Sequence, residues 1–255
     1  MRRYRFGQRP GVPPSAAPTV GGMTETEIAA APFLDIPDVL NLRDAGAGVY
    51  RPGLLYRSAS LNRLTDEGAE RLAALGIRTV LDLRSNAEIE FWPDRPAGPD
   101  VQYLHLPMLP DPATTDRVWP EDQAALYPFM AETGGVAVAA AVRALATGAP
   151  VLVHCAVGKD RTGLTIAVLQ TLAGLPEAAV TADFLRSNLG LGLDRGPVPY
   201  LDQAGVERLS RPVEAAHLTT ALARIVELHG TLDAYLLNHG ATAEELAALR
   251  ALRPE

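Results

Sequence analysis

Short apolar runs alternate with amphipathic stretches through the first part of the chain, and this alternation predicts strands and helices in turn. Residues 39–60 favour two short strands joined by a Gly-rich turn. Thr65 is a suitable N-cap for an amphipathic helix that reaches Leu75, and Gly76 provides its stop. A buried central strand is predicted next, over residues 77–83, followed by another strand over residues 101–106.

The second part of the chain is predicted to be mainly helical around one further strand, Val151-Leu152-Val153. Residues 107–128 are rich in Pro and Asp and are predicted to be irregular, as connections near functional sites often are. Alternating strands and helices favour an α/β fold with a mostly parallel central sheet and helices on both faces. Helices are predicted over residues 135–147, 163–173, 177–187, 213–229 and 241–252, with a Gly-rich break at 190–199.

Composition limits the classes of protein that this sequence can encode. A chain of 255 residues that is 47% hydrophobic can form one domain with a sizeable core, which we place at residues 31–255. Residues 1–30 are rich in Arg, Pro and Gly, which predicts a disordered tail without the apolar core of a signal peptide. The net charge of −7 is unfavourable for nucleic acid as a partner, because binding to its backbone requires a basic field.

The sequence contains a single cysteine and no apolar run of membrane-spanning length. One cysteine cannot form an internal disulfide and suits a reducing compartment, so we expect a cytoplasmic protein without an integral membrane segment, although secretion without a signal stays open. No cofactor or metal is expected, because four of the histidines lack metal-ligand spacing with Cys or carboxylates. These are His105, His217, His229 and His239.

The candidate chemistry is concentrated in residues 151–163, VLVHCAVGKDRTG. Three β-prone residues lead to His154 and Cys155, Arg161 follows with five residues between, and then a helix begins. A helix N-terminus offers unpaired backbone N–H groups and the positive end of a dipole, and successive amides of a tight loop wrap a phosphate. The same field stabilises a thiolate, and the planar guanidinium of Arg161 matches two phosphate oxygens. This stretch therefore favours cysteine-based phosphate chemistry.

The loop from His154 to Gly163 resembles the signature loop of the protein tyrosine phosphatase superfamily. Its Gly-Lys-Asp-Arg segment is similar to the branch that includes mycobacterial tyrosine phosphatase B and atypical lipid phosphatases. The resemblance implies a cysteine loop between a strand and a helix, and C-terminal helices that form a lid, for which we expect residues 176–220. Four further blocks fit this branch in order: residues 41–44 (NLRD), 56–59 (YRSA), 81–85 (LDLRS) and 183–188 (DFLRSN).

The residues of the loop favour two-step phosphoryl transfer through a phosphocysteine. The Cys155 thiolate attacks phosphorus, and water then hydrolyses the intermediate. Arg161 and the loop amides stabilise the equatorial oxygens as charge spreads onto them. The resemblance implies that Thr162 hydrogen-bonds the thiolate, and we expect His154 to be a structural neighbour that hydrogen-bonds the backbone. The amides expected to bind phosphate belong to Ala156, Val157, Gly158, Lys159, Asp160 and Arg161.

The proton donor to the leaving group has several candidates. The resemblance implies the loop carboxylate, Asp160, which would start near the leaving-group oxygen. Asp82 is the next candidate because it ends a central strand, and its alternative role is structural, paired with Arg161 or an adjacent amide. Two Trp-Pro-acidic triplets are similar to the acid loop of many superfamily members. They end at Asp94, which lies far upstream of the cysteine, and at Glu121, whose distance is more suitable.

Three of the further cations in these motifs have candidate roles. Lys159 has two open interpretations, a contact to extra substrate phosphates or a solvated loop residue. Arg43 and Arg57 are expected to form structural ion pairs with Asp44 or other carboxylates. We therefore expect a protein tyrosine phosphatase of broad, possibly dual, specificity acting on phosphorylated proteins. The alternatives are a phosphoinositide phosphatase and a phosphate-binding module without turnover.

Overall fold

The computed structural model describes residues 32–111, 114–202 and 206–253. The tail predicted for residues 1–30 lies outside these ranges. The central feature of the described chain is a five-stranded sheet in the order β1-β2-β5-β3-β4, in which only β1 runs antiparallel to its neighbour. Its strands are β1 (Arg43–Asp44), β2 (Leu55–Ser58), β3 (Thr79–Asp82), β4 (Gln102–His105) and β5 (Val151–His154). The predicted mostly parallel α/β sheet is confirmed.

Nine α-helices surround this sheet in the described chain, and a separate hairpin lies in its C-terminal part. The hairpin pairs β6 (Val198–Leu201) with β7 (Glu207–Ser210) and follows a 3-10 turn at Leu193–Arg195. The helices are α1 (Asp66–Ala73), α2 (Asn86–Phe91), α3 (Gln123–Thr133), α4 (Gly135–Ala146), α5 (Asp160–Leu172), α6 (Glu177–Gly190), α7 (Ala215–His229), α8 (Leu232–Asn238) and α9 (Ala243–Ala251).

The sheet separates two hydrophobic cores. On β5, Leu152 packs into the smaller core together with Leu72 of α1. Val151 and Val153 point the other way, into the larger core formed with helices α3 to α9. Successive strand residues face opposite sides of a sheet, so the continuously apolar run of β5 is what a strand covered on both faces requires.

Helix α3 differs from the irregular segment predicted for residues 107–128. It starts at Gln123, where the Asp122 carboxylate accepts a hydrogen bond from the amide of Ala125, and it contains Pro128. An Asp just before an apolar stretch acts as an N-cap, and burial of Tyr127 and the residues near it outweighs the hydrogen bond that Pro128 removes. The high Pro and Asp content therefore concealed a helix.

Other helices and strands also differ from the predicted ones. Helix α5 begins at Asp160, three residues before the predicted start, so the signature loop runs directly into its first turn. The short helices α2 and α8 and the β6–β7 hairpin were not predicted, because each lies in a segment too short or too rich in Gly and Pro to show a clear period. No single helix of the described chain is long and apolar enough to cross a membrane; α3 and α4 satisfy that test only as a pair bent by 65°.

Helix α6 is held firmly by the core. Val180 and Phe184 are buried on its inner face, and Asp183 forms ion pairs with Arg43 and Arg57. The lid predicted for residues 176–220 stays a prediction.

Candidate active site

The carboxyl ends of three neighbouring strands define the position of the candidate site. The last residues of β2, β5 and β3 lie side by side, with Ser58 and Asp82 both paired in register with His154. Cys155 follows at once, at the edge of the sheet where ligands bind in open α/β folds. Cys155 is buried, as the residue is only 2% exposed.

Gly158 gives the cysteine loop its tight curvature. Its φ is +67°, and a Cβ at this position would lie 2.1 Å from the carbonyl oxygen of Ser58. Only glycine fits both requirements, since an L-residue would be strained at this φ and would also collide with backbone. The loop therefore packs directly on the end of strand β2.

The carbonyl groups of the loop are held from behind. The amide of Ser60 donates to the Ala156 oxygen at 3.2 Å, and Asn41 Nδ2 donates to the Val157 and Gly158 oxygens at 3.3 and 2.9 Å. Arg57 Nη2 donates to the same Gly158 oxygen at 2.9 Å.

The loop amides, by contrast, are available for a ligand. Those of residues 156–161 donate no hydrogen bond to another described residue. They lead into the first turn of helix α5, where backbone N–H groups are also unpaired. A loop with its carbonyls fixed and its amides free is a nest for an anion.

A buried ion-pair cluster supports the loop. Arg43 Nε lies 2.7 Å from one Asp183 oxygen and Arg57 Nη1 lies 2.8 Å from the other. Burial alone would raise the pKa of Asp183, but the two guanidinium groups outweigh it and lower that pKa to about 2. The structural role predicted for both arginines is therefore observed, with Asp183 as partner. Asp44 instead accepts the amides of Gly46 and Gly53.

Arg161 is oriented by a carboxylate that the sequence analysis missed. Its Nη1 lies 2.6 Å from Glu88 Oε2, and its Nη2 lies 2.7 Å from Glu88 Oε1. Burial opposes ionisation of Glu88, yet Arg161 and the Ser85 hydrogen bonds lower the pKa of Glu88 to about 2. The Ser-x-x-Glu capping box, in which Ser85 and Glu88 begin helix α2, was the available signal.

Asp82 and Asp94, two of the candidate proton donors, belong to a buried cluster with Arg84. Asp82 accepts the Arg84 amide at 3.0 Å and its guanidinium at 2.6–3.0 Å. The predicted pairing of Asp82 with Arg161 is wrong, because Glu88 occupies that arginine, whereas its pairing with an adjacent amide is observed. Asp94 Oδ2 lies 3.0 Å from Arg84 Nη2, and Asp94 Oδ1 accepts the amide of Leu61 at 2.8 Å.

His154 joins this cluster on the side of the cysteine. Its Nε2 lies 3.1 Å from Asp94 Oδ2, and its Nδ1 lies 3.3 Å from the Cys155 carbonyl oxygen, which is the backbone contact expected for it. One ligand atom each from Asp82, Asp94 and His154 lie within 4.8 Å of one another, a spacing that a metal ion would accept. The Arg84 guanidinium already contacts both carboxylates.

Asp160 is the candidate donor that remains beside the loop. Its Oδ1 accepts a hydrogen bond from Tyr127 Oη at 2.7 Å and a longer one from Gln123 Nε2 at 3.3 Å. Its Oδ2 lies 3.6 Å from Lys159 Nζ, and the side chain is 20% exposed. Glu121 lies exposed, directly before the N-cap of helix α3.

Lys159 is neither solvated nor free. The residue is only 3% exposed, and its Nζ donates to the Arg211 carbonyl oxygen as well as lying near Asp160. The solvated interpretation of this lysine is therefore wrong. Its hydrogen bond instead connects the cysteine loop to the chain that follows strand β7.

Thr162 departs from what the resemblance implies. Its hydroxyl is buried and forms no hydrogen bond within the described chain, so the expected contact to the Cys155 sulfur is not made in this structure. An unpaired buried hydroxyl costs stability, and such groups in native proteins usually have a functional explanation.

A cysteine in an anion-binding loop after a central parallel strand, with an arginine after five intervening residues, defines the class of cysteine-dependent phosphatases. The chain belongs to the tyrosine phosphatase family, whose match covers residues 34–252. It is accordingly a hydrolase of the tyrosine phosphatase class.

Individual relatives agree with this assignment. The triple specificity protein phosphatase PtpB of Mycobacterium tuberculosis is 31% identical over 267 aligned positions, covering 85% of this chain and 97% of PtpB. A tyrosine-protein phosphatase of Nostoc commune is 28% identical over 76% of this chain and 72% of its own. The crystal structure of P. aeruginosa TpbA covers 82% of this chain and 96% of its own, with 21% identity and a TM-score of 0.42, a likeness too distant to bear on function.

Proposed function

We propose that this protein hydrolyses phosphotyrosine through a covalent intermediate on Cys155. The observation that carries the proposal is the cysteine loop, whose carbonyls are held by Asn41, Arg57 and Ser60 while its amides stay free. An anion bound there would have its phosphorus next to the thiol, which is the arrangement that in-line attack needs. Arg161 and the amides of residues 156–161 would stabilise the charge that develops on the equatorial oxygens.

We assign the role of general acid to Asp160. The other candidate acids near the site are engaged elsewhere, since Asp82 and Asp94 are buried against Arg84. Asp160 starts helix α5, is partly exposed and has one carboxylate oxygen without a hydrogen bond. Thr162 is assigned to the second step, in which its hydroxyl turns to the thiolate as the phosphocysteine breaks down.

The proposed specificity is broad among phosphorylated proteins. It is supported by the likeness to PtpB, whose name records triple specificity. Phosphoinositides remain the second substrate class on the strength of Lys159. That cation would have to leave the Arg211 carbonyl to reach an additional phosphate, so phosphotyrosine is the better supported substrate.

Two organisational points complete the proposal. Residues 31–255 are proposed to form one phosphatase domain, which the continuous family match and the two cores on one sheet support. A cytoplasmic location is proposed because the single cysteine is the proposed nucleophile and needs a reducing compartment to remain a thiol.

The decisive experiment measures phosphate release from matched panels of phosphotyrosine peptides, phosphoserine peptides and phosphoinositides, with Cys155→Ser as the blank. We expect the fastest Cys155-dependent release from phosphotyrosine. Lys159→Met is the second variant, and it should leave phosphotyrosine turnover within a few-fold of wild type. Selective loss of phosphoinositide turnover in Lys159→Met would make lipid the substrate class. No Cys155-dependent release from any panel would overturn the enzymatic proposal.

A further inference from the structure

A buried tyrosine on helix α3 contacts the candidate general acid. Tyr127 is fully buried, and its hydroxyl donates to Asp160 Oδ1 at 2.7 Å. Its ring is stacked on His217 at a centroid distance of 5.0 Å and meets Phe184 edge-on at 5.9 Å. The side chain is thus held on two sides by helices α6 and α7, and the hydroxyl has a fixed direction.

The support behind this tyrosine is also fixed. Helix α3 is tied to helix α7 by Glu132, whose carboxylate lies 2.9 Å from Arg224 Nη2 and 2.6 Å from Arg117 Nη2. Gln123, one turn before Tyr127 on the same helix, adds the weaker second donor to Asp160 Oδ1. One element therefore presents both donors to a single carboxylate oxygen.

The protonation state of the phenol follows from its surroundings. Burial raises the pKa of Tyr127 well above its usual range, and the negative charges of Asp160 and Cys155 raise it further. The tyrosine therefore stays a neutral donor through the working pH range. It does not itself supply a proton to a leaving group.

The two oxygens of Asp160 are consequently not equivalent. Within the described chain, Oδ1 accepts two hydrogen bonds, whereas Oδ2 accepts none and lies 3.6 Å from Lys159 Nζ. An oxygen that already accepts a donor is a poor place for a proton, so the transferable proton of this carboxyl group belongs on Oδ2.

We propose that Tyr127 is a positioning residue for phosphate-ester cleavage, fixing the Asp160 carboxyl group so that Oδ2 faces the leaving group. The inference rests on the proposed function and explains which oxygen of Asp160 carries the proton that is transferred. In the first step the S–P bond forms, the P–O bond to the leaving group breaks, and the Oδ2 proton passes to that oxygen. In the second step the water oxygen bonds to phosphorus, the S–P bond breaks to release the Cys155 thiolate, and the Asp160 carboxylate takes a proton from that water.

The test compares leaving groups of different basicity in Tyr127→Phe. This variant keeps the ring, so its packing on His217 and Phe184 is retained and only the hydroxyl is lost. A phenyl phosphate needs a proton on its departing oxygen, whereas p-nitrophenyl phosphate leaves readily as an anion. We expect kcat/KM, which reports the steps up to formation of the phosphocysteine, to fall about tenfold for phenyl phosphate and to change less than about twofold for p-nitrophenyl phosphate.

Tyr50→Phe is the matched control. Tyr50 is equally buried in the same core, and its hydroxyl donates to the Leu169 carbonyl at 2.8 Å, away from the loop. This variant should lose comparable stability without changing the ratio of kcat/KM for phenyl phosphate to kcat/KM for p-nitrophenyl phosphate. Adding Asp160→Asn to Tyr127→Phe should lower kcat/KM for phenyl phosphate no further than Asp160→Asn alone, because residues acting through one proton are not additive.

The outcomes separate the two proposals. Equal losses of kcat/KM for both substrates in Tyr127→Phe, or additive losses of kcat/KM in the double variant, would overturn the positioning role while Cys155-dependent turnover stood. If wild-type turnover did not depend on Cys155, the proposed function would fail first, and the comparison of leaving groups would show no Asp160 effect.

Discussion

Arg161 and Glu88 meet through two parallel hydrogen bonds, with nitrogen–oxygen distances of 2.6 and 2.7 Å. The pair connects the first turn of helix α5 to the first turn of helix α2, across 73 positions of sequence. A two-point contact fixes the plane of the guanidinium, so the arginine proposed to bind phosphate is aligned before a substrate arrives.

Glu88→Gln should therefore disturb the orientation of the Arg161 guanidinium, while Arg161 itself keeps its charge. We expect kcat/KM to fall by about 10²-fold, because small misplacements of an electrostatic group are costly. Loss of a buried charge partner should also destabilise the fold by roughly 3 kcal/mol. Steady-state kinetics and urea unfolding measure the two effects. Glu90→Gln, exposed on the same helix, should match wild type in both, and an unaffected kcat/KM in Glu88→Gln would show that Arg161 is aligned without it.

The Asp183 cluster predicts how stability responds to acid. The folded-state pKa of Asp183 is about 2, below its usual 3.8, so its ionisation stabilises the fold fully above about pH 4. This contribution is lost as the pH falls from about 4 toward 2. Asp183→Asn should be less stable by roughly 3 kcal/mol at pH 7, and the difference from wild type should shrink across that acid range. Urea titrations at pH 7, 4 and 2.5 measure it, and a pH-independent difference would contradict the assignment.

Gly158→Ala tests the packing of the loop on strand β2. The new methyl group would be 2.1 Å from the Ser58 oxygen, so either the loop or the strand end must move. We expect loss of most activity and a destabilisation of more than about 2 kcal/mol. Gly192→Ala is the control, since its φ is +70° with no atom within 4 Å, and it should cost only about 1 kcal/mol with activity retained. Equal effects at both sites would show that backbone strain alone matters.

Thr162→Val should separate stability from turnover. Replacing an unpaired buried hydroxyl by a methyl group of similar size should raise stability by about 1 kcal/mol. If the hydroxyl assists the departure of the thiolate, breakdown of the phosphocysteine should slow, and rapid-quench kinetics should show a burst of the leaving group. Thr165→Val, which removes a hydroxyl that donates to the Arg161 carbonyl, should instead lose stability without a burst. A destabilised Thr162→Val would mean that the hydroxyl has a partner in solution.

The sheet and the cysteine loop were predictable because short, local sequence patterns indicate them. A continuous apolar run marks β5, and the spacing from Cys155 to Arg161 fits one tight turn before a helix. The family resemblance carried by the same short string implied Asp160 as the proton donor. The loop motif and the class of enzyme therefore followed from one stretch of about a dozen residues.

The residues that orient the site were not predictable in the same way. Glu88 and Tyr127 lie on helices that the sequence pattern did not reveal, one too short and one hidden by Pro128. Asp183 lay in a recognised block, but its partners are 126 and 140 positions away, and no local pattern records such a pairing. Reacting groups can therefore be recognised in the sequence more easily than the residues that orient them.

The carbonyl contacts behind the loop have a consequence for the order of folding. Asn41 and Gly158 are separated by 117 positions, and Arg43 and Asp183 by 140, so the loop acquires its shape only after long segments of chain have closed. Closing such long segments costs conformational entropy before the contacts that stabilise the loop can form. Catalytic competence should therefore arise late in refolding, after most secondary structure, and a nascent chain that has not yet reached Asp183 would carry the whole signature while remaining inactive.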